Sequence, residues 1–198
     1  MTEPSRSTES GRTTESGRMG ESGRMSESSG MGESSGMGES GRMGELTHLD
    51  GAGHARMVDV THKQPTVRSA TAEAMVRCSD AVVRVLRDGT APKGDVLAVA
   101  RIAGISAAKR TAELLPLAHV IGVHGAVVDL EITDEGVHVT ATVRTADRTG
   151  VEMEALTAAA VAGLAVVDMV KGLDKGTTLT DVRLLAKTGG KSGDWQRA

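Results

Sequence analysis

The chain has 198 residues, a formal net charge of −3 and a single cysteine, Cys78. One cysteine excludes an intramolecular disulfide and thiolate metal clusters. The amino-terminal stretch is polar and lacks the apolar segment of a signal peptide, and the longest apolar run, residues 158–167, is too short to span a bilayer. We therefore expect a cytoplasmic protein that does not enter the membrane.

Residues 1–45 follow a six-residue repeat of glutamate and, from Met19 onwards, methionine, separated mostly by glycine, serine and arginine. Such units cannot build an apolar core, so we expect a disordered tail. The tail holds eight of the 26 acidic and five of the 23 basic residues, which leaves residues 46–198 balanced at 18 of each. A neutral domain whose only aromatic residue is Trp195 is not typical of a nucleic-acid or membrane-surface binder.

The domain at 46–194 begins with two predicted strands and a predicted helix. Residues 57–60 predict a short strand, and residues 68–78 predict an extended segment. Ser79 is a good N-cap for the helix that follows, and Gly89 is placed to close it.

A second helix is predicted to begin at Asp95, whose side chain can cap it. Gly104 indicates either a break in this helix or a close contact with a neighbouring element. Pro116 is expected to end it, because proline cannot continue the backbone hydrogen bonds.

Residues 126–145 predict a β-hairpin, since apolar and polar residues alternate on both arms. Matching apolar to apolar places Ile132 opposite Val137, with the turn at 133–136.

A long helix is predicted at 151–173, with Thr149 and Glu152 as a capping box, followed by a strand at 181–186. Residues 188–198 form a glycine-rich terminus that we expect to be flexible. The order of these elements predicts an α+β fold, a ferredoxin-like antiparallel sheet with helices packed on one face. Because its core consists of small side chains, the domain would gain from burial in an oligomer.

The long helix carries the first candidate site. Glu154 and Asp168 are fourteen positions apart and fall on the same face, with Lys171 one turn beyond Asp168. An ordinary solvated ion pair is an equally good explanation. A site is favoured by context, because Asp168 ends an apolar run on a helix that we expect to be buried.

The other candidates are lysines placed where they could bind phosphate, and one histidine. Lys93 stands where the second helix begins, and Lys187 and Lys191 flank a Gly-Gly pair that suits the wrapping of phosphates, although a plain flexible terminus explains the pair as well. His119 follows a helix end and is either a core histidine bonded to a backbone carbonyl or part of a site.

No metal site is predicted. His138 faces Glu131 across the hairpin, while His124 lies about 23 Å from Glu131 along the strand. No Cys or Glu is spaced to complete a tetrahedron with His119.

Four blocks in order resemble the cyclic pyranopterin monophosphate synthases, the molybdenum cofactor biosynthesis protein C family: "HARMVDVTHKQPTVRSA", "KGDVLAVARIAGISAAKRTAELLPLAH", "TGVEMEALTAAAVAGLAVVDMVK" and "VRLLAKTGGKSGD". The resemblance covers residues 46–194. It implies a lyase that converts 3',8-cyclo-7,8-dihydroguanosine 5'-triphosphate into cyclic pyranopterin monophosphate and releases diphosphate. It also implies a homohexamer, a trimer of dimers with sites at dimer interfaces, that needs no metal or other cofactor.

By position, the resemblance makes Asp168 the active-site acid or base, and Lys93 and Lys171 essential lysines. It assigns substrate binding to Leu117, Ala118, His119, Met153, Glu154, Arg68, Glu152, Lys187 and Lys191. Ring rearrangement needs proton transfers, which a buried Asp–Lys pair can perform if burial moves its pKa values toward neutrality. Release of diphosphate needs lysines that stabilise the developing charge.

The chain departs from the family at Ala118 and Val120, where the family usually has cysteine and proline. This departure motivates an alternative, a non-catalytic paralogue that binds a nucleotide or pterin phosphate.

Overall fold

The computed structural model describes residues 51–198. The tail predicted at 1–45 lies outside the described residues, so its disorder stays a prediction. The elements, in chain order, are β1 (Thr66–Arg77), α1 (Asp80–Arg87), α2 (Val96–Ala108), α3 (Thr111–Leu114), β2 (Gly125–Ile132), β3 (Gly136–Asp147), α4 (Glu152–Val170), β4 (Thr178–Thr188) and β5 (Trp195–Gln196).

The strands form one antiparallel sheet in the order β2-β3-β1-β4-β5. Ile132 pairs with Val137, so the predicted hairpin register is confirmed. The predicted α+β class with an antiparallel sheet is confirmed as well.

One face of the sheet carries the core. Alternate residues of β1 and β3 are buried, and they join one apolar cluster with residues of α1, α2 and α4. The three helices therefore cover the same face, as predicted. Aromatic side chains are absent from this cluster, which consists mostly of alanine and valine, and this allows the helices to approach closely.

Gly104 shows how close that approach is. A Cβ atom at Gly104 would lie 2.9 Å from the carbonyl oxygen of Ala158 on α4. Since α2 runs unbroken through this position, the close contact is confirmed and the break is wrong. The side chain of Asp95 caps α2 by accepting from the Ala98 amide at 2.9 Å, as predicted.

Three predictions about element ends and one about a strand are wrong. Residues 57–60 form no strand, because no neighbouring backbone pairs with them. The helix expected to reach Pro116 ends at Ala108, and a separate turn of helix, α3, follows. The capping box is absent, since Val151 is the N-cap of α4 and makes no side-chain cap bond. The last long strand, predicted at 181–186, extends over Thr178–Thr188.

The carboxyl-terminal segment 188–198, expected to be flexible, contains β5. Trp195 pairs with Lys187 of β4, and the Arg197 guanidinium lies 5.8 Å from the Trp195 ring centre. The mobility of this segment stays a prediction.

Helix α4 is long and apolar enough, by length and composition, to cross a membrane. It packs instead on β1 and β3, with one side made of fully buried residues such as Ala155, Ala162 and Val166. This is the position of a core helix.

Candidate active site

Asp168, near the carboxyl end of α4, lies between two lysines. The Lys93 ammonium is 3.2 Å from Asp168 Oδ2 and donates a hydrogen bond of 2.7 Å to the Asp168 main-chain oxygen. The Lys171 ammonium is 2.8 Å from Asp168 Oδ1. The structure thus brings together the three residues to which the resemblance assigns catalysis, one from the turn before α2 and two from the end of α4.

This cluster is exposed rather than buried. The Asp168 side chain is 57% exposed, because it points outward between the buried turns of α4. Hydrogen bonds from Lys171 and then Lys93 hold the pKa of Asp168 below its ordinary value. The condition that burial moves the pKa of Asp168 toward neutrality is not met in this chain: Asp168 is an ionised carboxylate near neutral pH, paired with two cations.

A second group of candidates lines a cavity of about 1050 Å³ at the other end of α4. Its walls come from the loop after α3, from the first turn of α4 and from an irregular segment at 55–63. The lining residues that matter below are Val58, Val60, Lys63, Leu117, Ala118, His119, Glu152, Met153 and Glu154.

His119 joins two of these walls. Its Nε2 atom lies 2.7 Å from the main-chain oxygen of Val58. Because a carbonyl only accepts, Nε2 carries the hydrogen and donates it. Both readings of His119 therefore hold: its ring is bonded to a backbone carbonyl, and it borders the cavity.

Of the two departures from the family pattern, one lies at this cavity. Ala118 is among the lining residues, whereas Val120 is 91% exposed and does not line the cavity. The change from proline to valine therefore affects the surface of the loop rather than the cavity wall.

Glu154 is the buried acid of the site, with 4% of its surface exposed. Burial raises the pKa of Glu154 above its ordinary value of 4.5, and the neighbouring charge of Glu152 raises it further. The Glu154 main-chain amide and His119 oppose this rise without cancelling it.

Glu154→Gln is expected to remove a pH dependence of stability. A carboxyl whose folded-state pKa is raised holds its proton longer in the folded state, so its contribution is fully present below pH 4.5 and is lost as the pH rises through the raised pKa. The variant should therefore gain stability relative to the wild type between pH 4 and pH 7. Urea denaturation of both proteins at these pH values checks this, and a constant difference would contradict it.

A third group surrounds a smaller cavity of about 140 Å³ beside the first. The Lys187 ammonium lies 3.9 Å from Glu152 and bonds the Ser192 hydroxyl. The Arg68 guanidinium donates to the main-chain oxygens of Asp147 and Arg148, at 3.1 Å each. Lys191 lines neither cavity.

The candidates do not form one site within a single chain. Glu154 and Asp168 are fourteen residues apart on α4, which separates them by about 21 Å along the helix axis. The Asp168 cluster and the large cavity therefore lie at opposite ends of α4.

Metal-ligand clusters are absent from residues 51–198, where no group of three His, Cys, Asp or Glu side chains could hold an ion. His138 instead bonds Glu73 at 2.8 Å on the open face of the sheet.

Sequence reasoning missed the segment at 55–63. The alternation of Val58 and Val60 predicted a strand, but both side chains line the cavity. Lys63 lies in a block that resembles the family but was given no role there, and the structure places it at the same wall.

A family model described as the MoaC family matches residues 57–190. The chain belongs to the MoaC family. The family match includes every predicted site residue except Lys191, and it confirms the resemblance found in the sequence.

Three relatives are each named cyclic pyranopterin monophosphate synthase. The protein from Streptomyces coelicolor is 60% identical over 153 residues, which cover 77% of this chain and 90% of the relative. The protein from Geobacter sulfurreducens is 56% identical over 153 residues, 76% of this chain and 95% of the relative. The protein from Chloroflexus aurantiacus is 53% identical over 154 residues, 77% of this chain and 94% of the relative.

Proposed function

We propose that the protein is a lyase of molybdenum cofactor biosynthesis that converts (8S)-3',8-cyclo-7,8-dihydroguanosine 5'-triphosphate into cyclic pyranopterin monophosphate and releases diphosphate. The observation that carries this proposal is the contact of two lysines with one carboxylate, Lys93 and Lys171 with Asp168, in a chain of the MoaC family. The rest of the site supplies a buried acid and further cations.

The Asp168 cluster has the groups that formation of a cyclic phosphate requires. A substrate hydroxyl attacks the phosphorus nearest the ribose, and the bond from that phosphorus to the diphosphate breaks. Asp168, ionised near neutral pH, can accept the hydroxyl proton, while the two ammonium groups stabilise charge on the departing diphosphate.

The large cavity suits the purine-derived ring. Glu154 is biased toward its protonated form by burial, so it can donate a proton to a ring nitrogen or oxygen. His119 keeps Nδ1 for the substrate while Nε2 holds Val58. The apolar side chains of Leu117 and Met153 offer a surface on which a flat ring can rest.

We further propose a ferredoxin-like homohexamer, a trimer of dimers, in which a second copy completes the site. The sheet order supports the ferredoxin-like arrangement, as do the connections of its first four strands: helices join β1 to β2 and β3 to β4, and a hairpin joins β2 to β3. The separation of about 21 Å between the two halves of the site supports a composite site. Exposed apolar residues on the two packed helices, Ile102 on α2 and Leu164 on α4, support an interface there, since they are 69% and 54% exposed.

Ile102→Glu is expected to dissociate the assembly, because a carboxylate would have to be buried in the helix interface. We expect the dissociation constant to rise at least about 100-fold, measured by analytical ultracentrifugation. Val127→Glu is the matched control, since it places the same charge on an exposed residue of the sheet. An Ile102→Glu protein that sediments like the wild type would exclude this helix face as the interface.

Turnover tests the function directly. Purified protein is expected to release diphosphate and form the pterin product from the cyclic dihydroguanosine triphosphate. The non-catalytic alternative is not favoured, because the cited relatives are all named as synthases and the Lys93, Asp168 and Lys171 contacts are intact. The non-catalytic alternative would require that the protein bind the substrate without releasing diphosphate.

We also propose that the enzyme works in the cytoplasm on a small-molecule substrate, with no nucleic-acid or membrane partner. The balanced charge of residues 46–198 and the packing of α4 within the domain support this.

A further inference from the structure

We propose that Asp147, the last residue of β3, is a positioning residue that ties the loop after His119 to the sheet and so fixes the His119 ring at the large cavity. This inference rests on the proposed function and deepens it, because it says what holds the ring in place for the substrate. Three observations carry it: the hydrogen bonds at Gly122, the contacts of His124, and a second bond of the Asp147 carboxylate.

Both backbone groups of Gly122 are bonded to side chains at the end of β3. The Gly122 amide donates to Asp147 Oδ2 at 3.3 Å, and the Gly122 carbonyl accepts from the Thr145 hydroxyl at 2.6 Å. Thr145 is buried, so its hydroxyl has a fixed position. Gly122 follows His119 by three residues, and Ile121 between them packs against the core. The loop is therefore tied to the sheet close to His119.

The His124 residue holds the far end of the same loop. Its Nδ1 atom accepts from the Ala146 amide at 3.2 Å, and its own amide donates to the Arg144 carbonyl at 3.0 Å. A Cβ atom at Gly122 would lie 3.1 Å from Cε1 of the His124 ring, so the ring packs closely on the loop backbone. The loop is thus held along its length, and the Asp147 bond is the hold nearest to its exposed side.

The carboxylate of Asp147 joins this loop to the start of α4. Asp147 Oδ1 accepts from the amide of Arg148, in the turn that leads into α4, at 2.7 Å. Hydrogen bonds from the Arg148 amide and the Gly122 amide hold the pKa of Asp147 below its ordinary value. The carboxylate is ionised near neutral pH, and bonds to an ionised acceptor are stronger than neutral ones. One side chain therefore links the loop of His119 to the turn before Glu154.

A fixed loop matters because the His119 ring is otherwise held by one bond. Its Nε2 atom donates to the Val58 carbonyl at 2.7 Å, which leaves Nδ1 for the substrate. Hydrogen bonds weaken steeply as their distance and angle depart from the optimum. Movement of the loop at Gly122 would shift the ring relative to the first turn of α4 and weaken its bond to the substrate.

Hydrogen exchange tests the hold on the loop without any substrate. In Asp147→Ala, we expect the amides of residues 120–124 to exchange roughly 3- to 10-fold faster than in the wild type, the factor for loss of one hydrogen bond. Asp147→Asn keeps an acceptor oxygen and should restore most of the protection. Asp129→Ala, at an exposed aspartate of β2, is the matched control and should exchange like the wild type. Unchanged exchange in Asp147→Ala would overturn the proposal.

Steady-state kinetics and a double-mutant cycle test whether Asp147 acts through His119. Asp147→Ala should raise KM roughly 3- to 10-fold while kcat changes less than about threefold, and Asp147→Asn should recover most of the affinity. In a His119→Ala background, the same replacement should raise KM by less than about twofold, because the group that it positions is gone. An equal rise in both backgrounds would overturn the positioning role while leaving the function intact.

A separate outcome concerns the proposed function. Calorimetric titration of the cyclic triphosphate into the wild type measures binding apart from turnover. A wild type that neither binds nor turns over the substrate would overturn the proposed function and the role of Asp147 toward the substrate, while hydrogen exchange still decides whether Asp147 holds the loop.

Discussion

Replacing Asp168 with asparagine is expected to lower kcat by a factor of about 10²–10⁴, the usual contribution of a positioned acid or base. Asparagine has nearly the same shape but cannot accept a proton, and it removes the charge that holds the Lys93 and Lys171 ammonium groups at 3.2 and 2.8 Å. Lys171→Ala should cause a loss of similar size, since it removes a cation needed by the departing diphosphate. Both effects are measured as diphosphate release and pterin formation from the cyclic triphosphate.

The control is Asp129→Asn, which changes an exposed aspartate on β2 and should leave turnover unchanged. Because the Asp168 side chain is exposed, Asp168→Asn should keep the stability and assembly of the wild type. A variant that is folded and assembled but keeps more than about a tenth of the wild-type kcat would exclude Asp168 from proton transfer.

Replacing Gly136 with alanine is expected to lower the free energy of unfolding more than the same replacement at Gly89 or Gly172. Gly136 has a φ of +139°, and a Cβ atom there would lie 1.9 Å from the carbonyl oxygen of Val76. Since that atom belongs to the backbone of the central strand β1, the clash can be relieved only by displacing a strand. We expect destabilisation of about 3 kcal/mol or more and a fall in Tm of roughly 10 °C.

Alanine substitutions at two other glycines distinguish the strain of a positive φ from the clash of the added Cβ atom. Gly89 has a φ of +64° with nothing within 4 Å of its Cβ position, so Gly89→Ala should show the backbone strain alone. Gly172 has open space and no positive φ, so Gly172→Ala should change stability by less than about 1 kcal/mol. Thermal denaturation at one protein concentration ranks the three. A Gly136→Ala protein no less stable than Gly89→Ala would show that β1 and β3 adjust freely.

The hairpin and the cap on α2 could be predicted because their causes are local. Alternation on both arms and a short turn leave one register that buries both apolar faces, and Ile132 does pair with Val137. Asp95 needs only the amide of Ala98, three residues away, to cap its helix. Neither prediction depends on how distant parts of the chain meet.

The predictions that were wrong depend on distant contacts. Val58 and Val60 alternate as in a strand, yet a strand needs a backbone partner, and these side chains line a cavity instead. Thr149 and Glu152 have the spacing of a capping box, but Glu152 lies within 3.9 Å of Lys187 on β4. A pattern of residue types does not reveal such competing partners.

At the site, too, local contacts could be predicted from the sequence and distant contacts could not. Asp168 and Lys171 are one turn apart on a helix, so their contact follows from sequence spacing. The exposure of Asp168 does not, because it depends on which side of α4 the sheet covers. The wall formed by residues 55–63 could not be predicted either, since its hydrogen bonds to His119 and Arg148 join residues more than 50 positions apart.

The pairing of β5 with β4 gives the protein an optical reporter of its glycine-rich loop at 188–193. Trp195 is the only tryptophan in a chain without tyrosine or phenylalanine, so essentially all ultraviolet-excited emission comes from one indole ring. Trp195 is 42% exposed and pairs with Lys187, directly beside the glycines of the loop. Its emission therefore reports, without a label, on the surroundings of this loop in the folded protein.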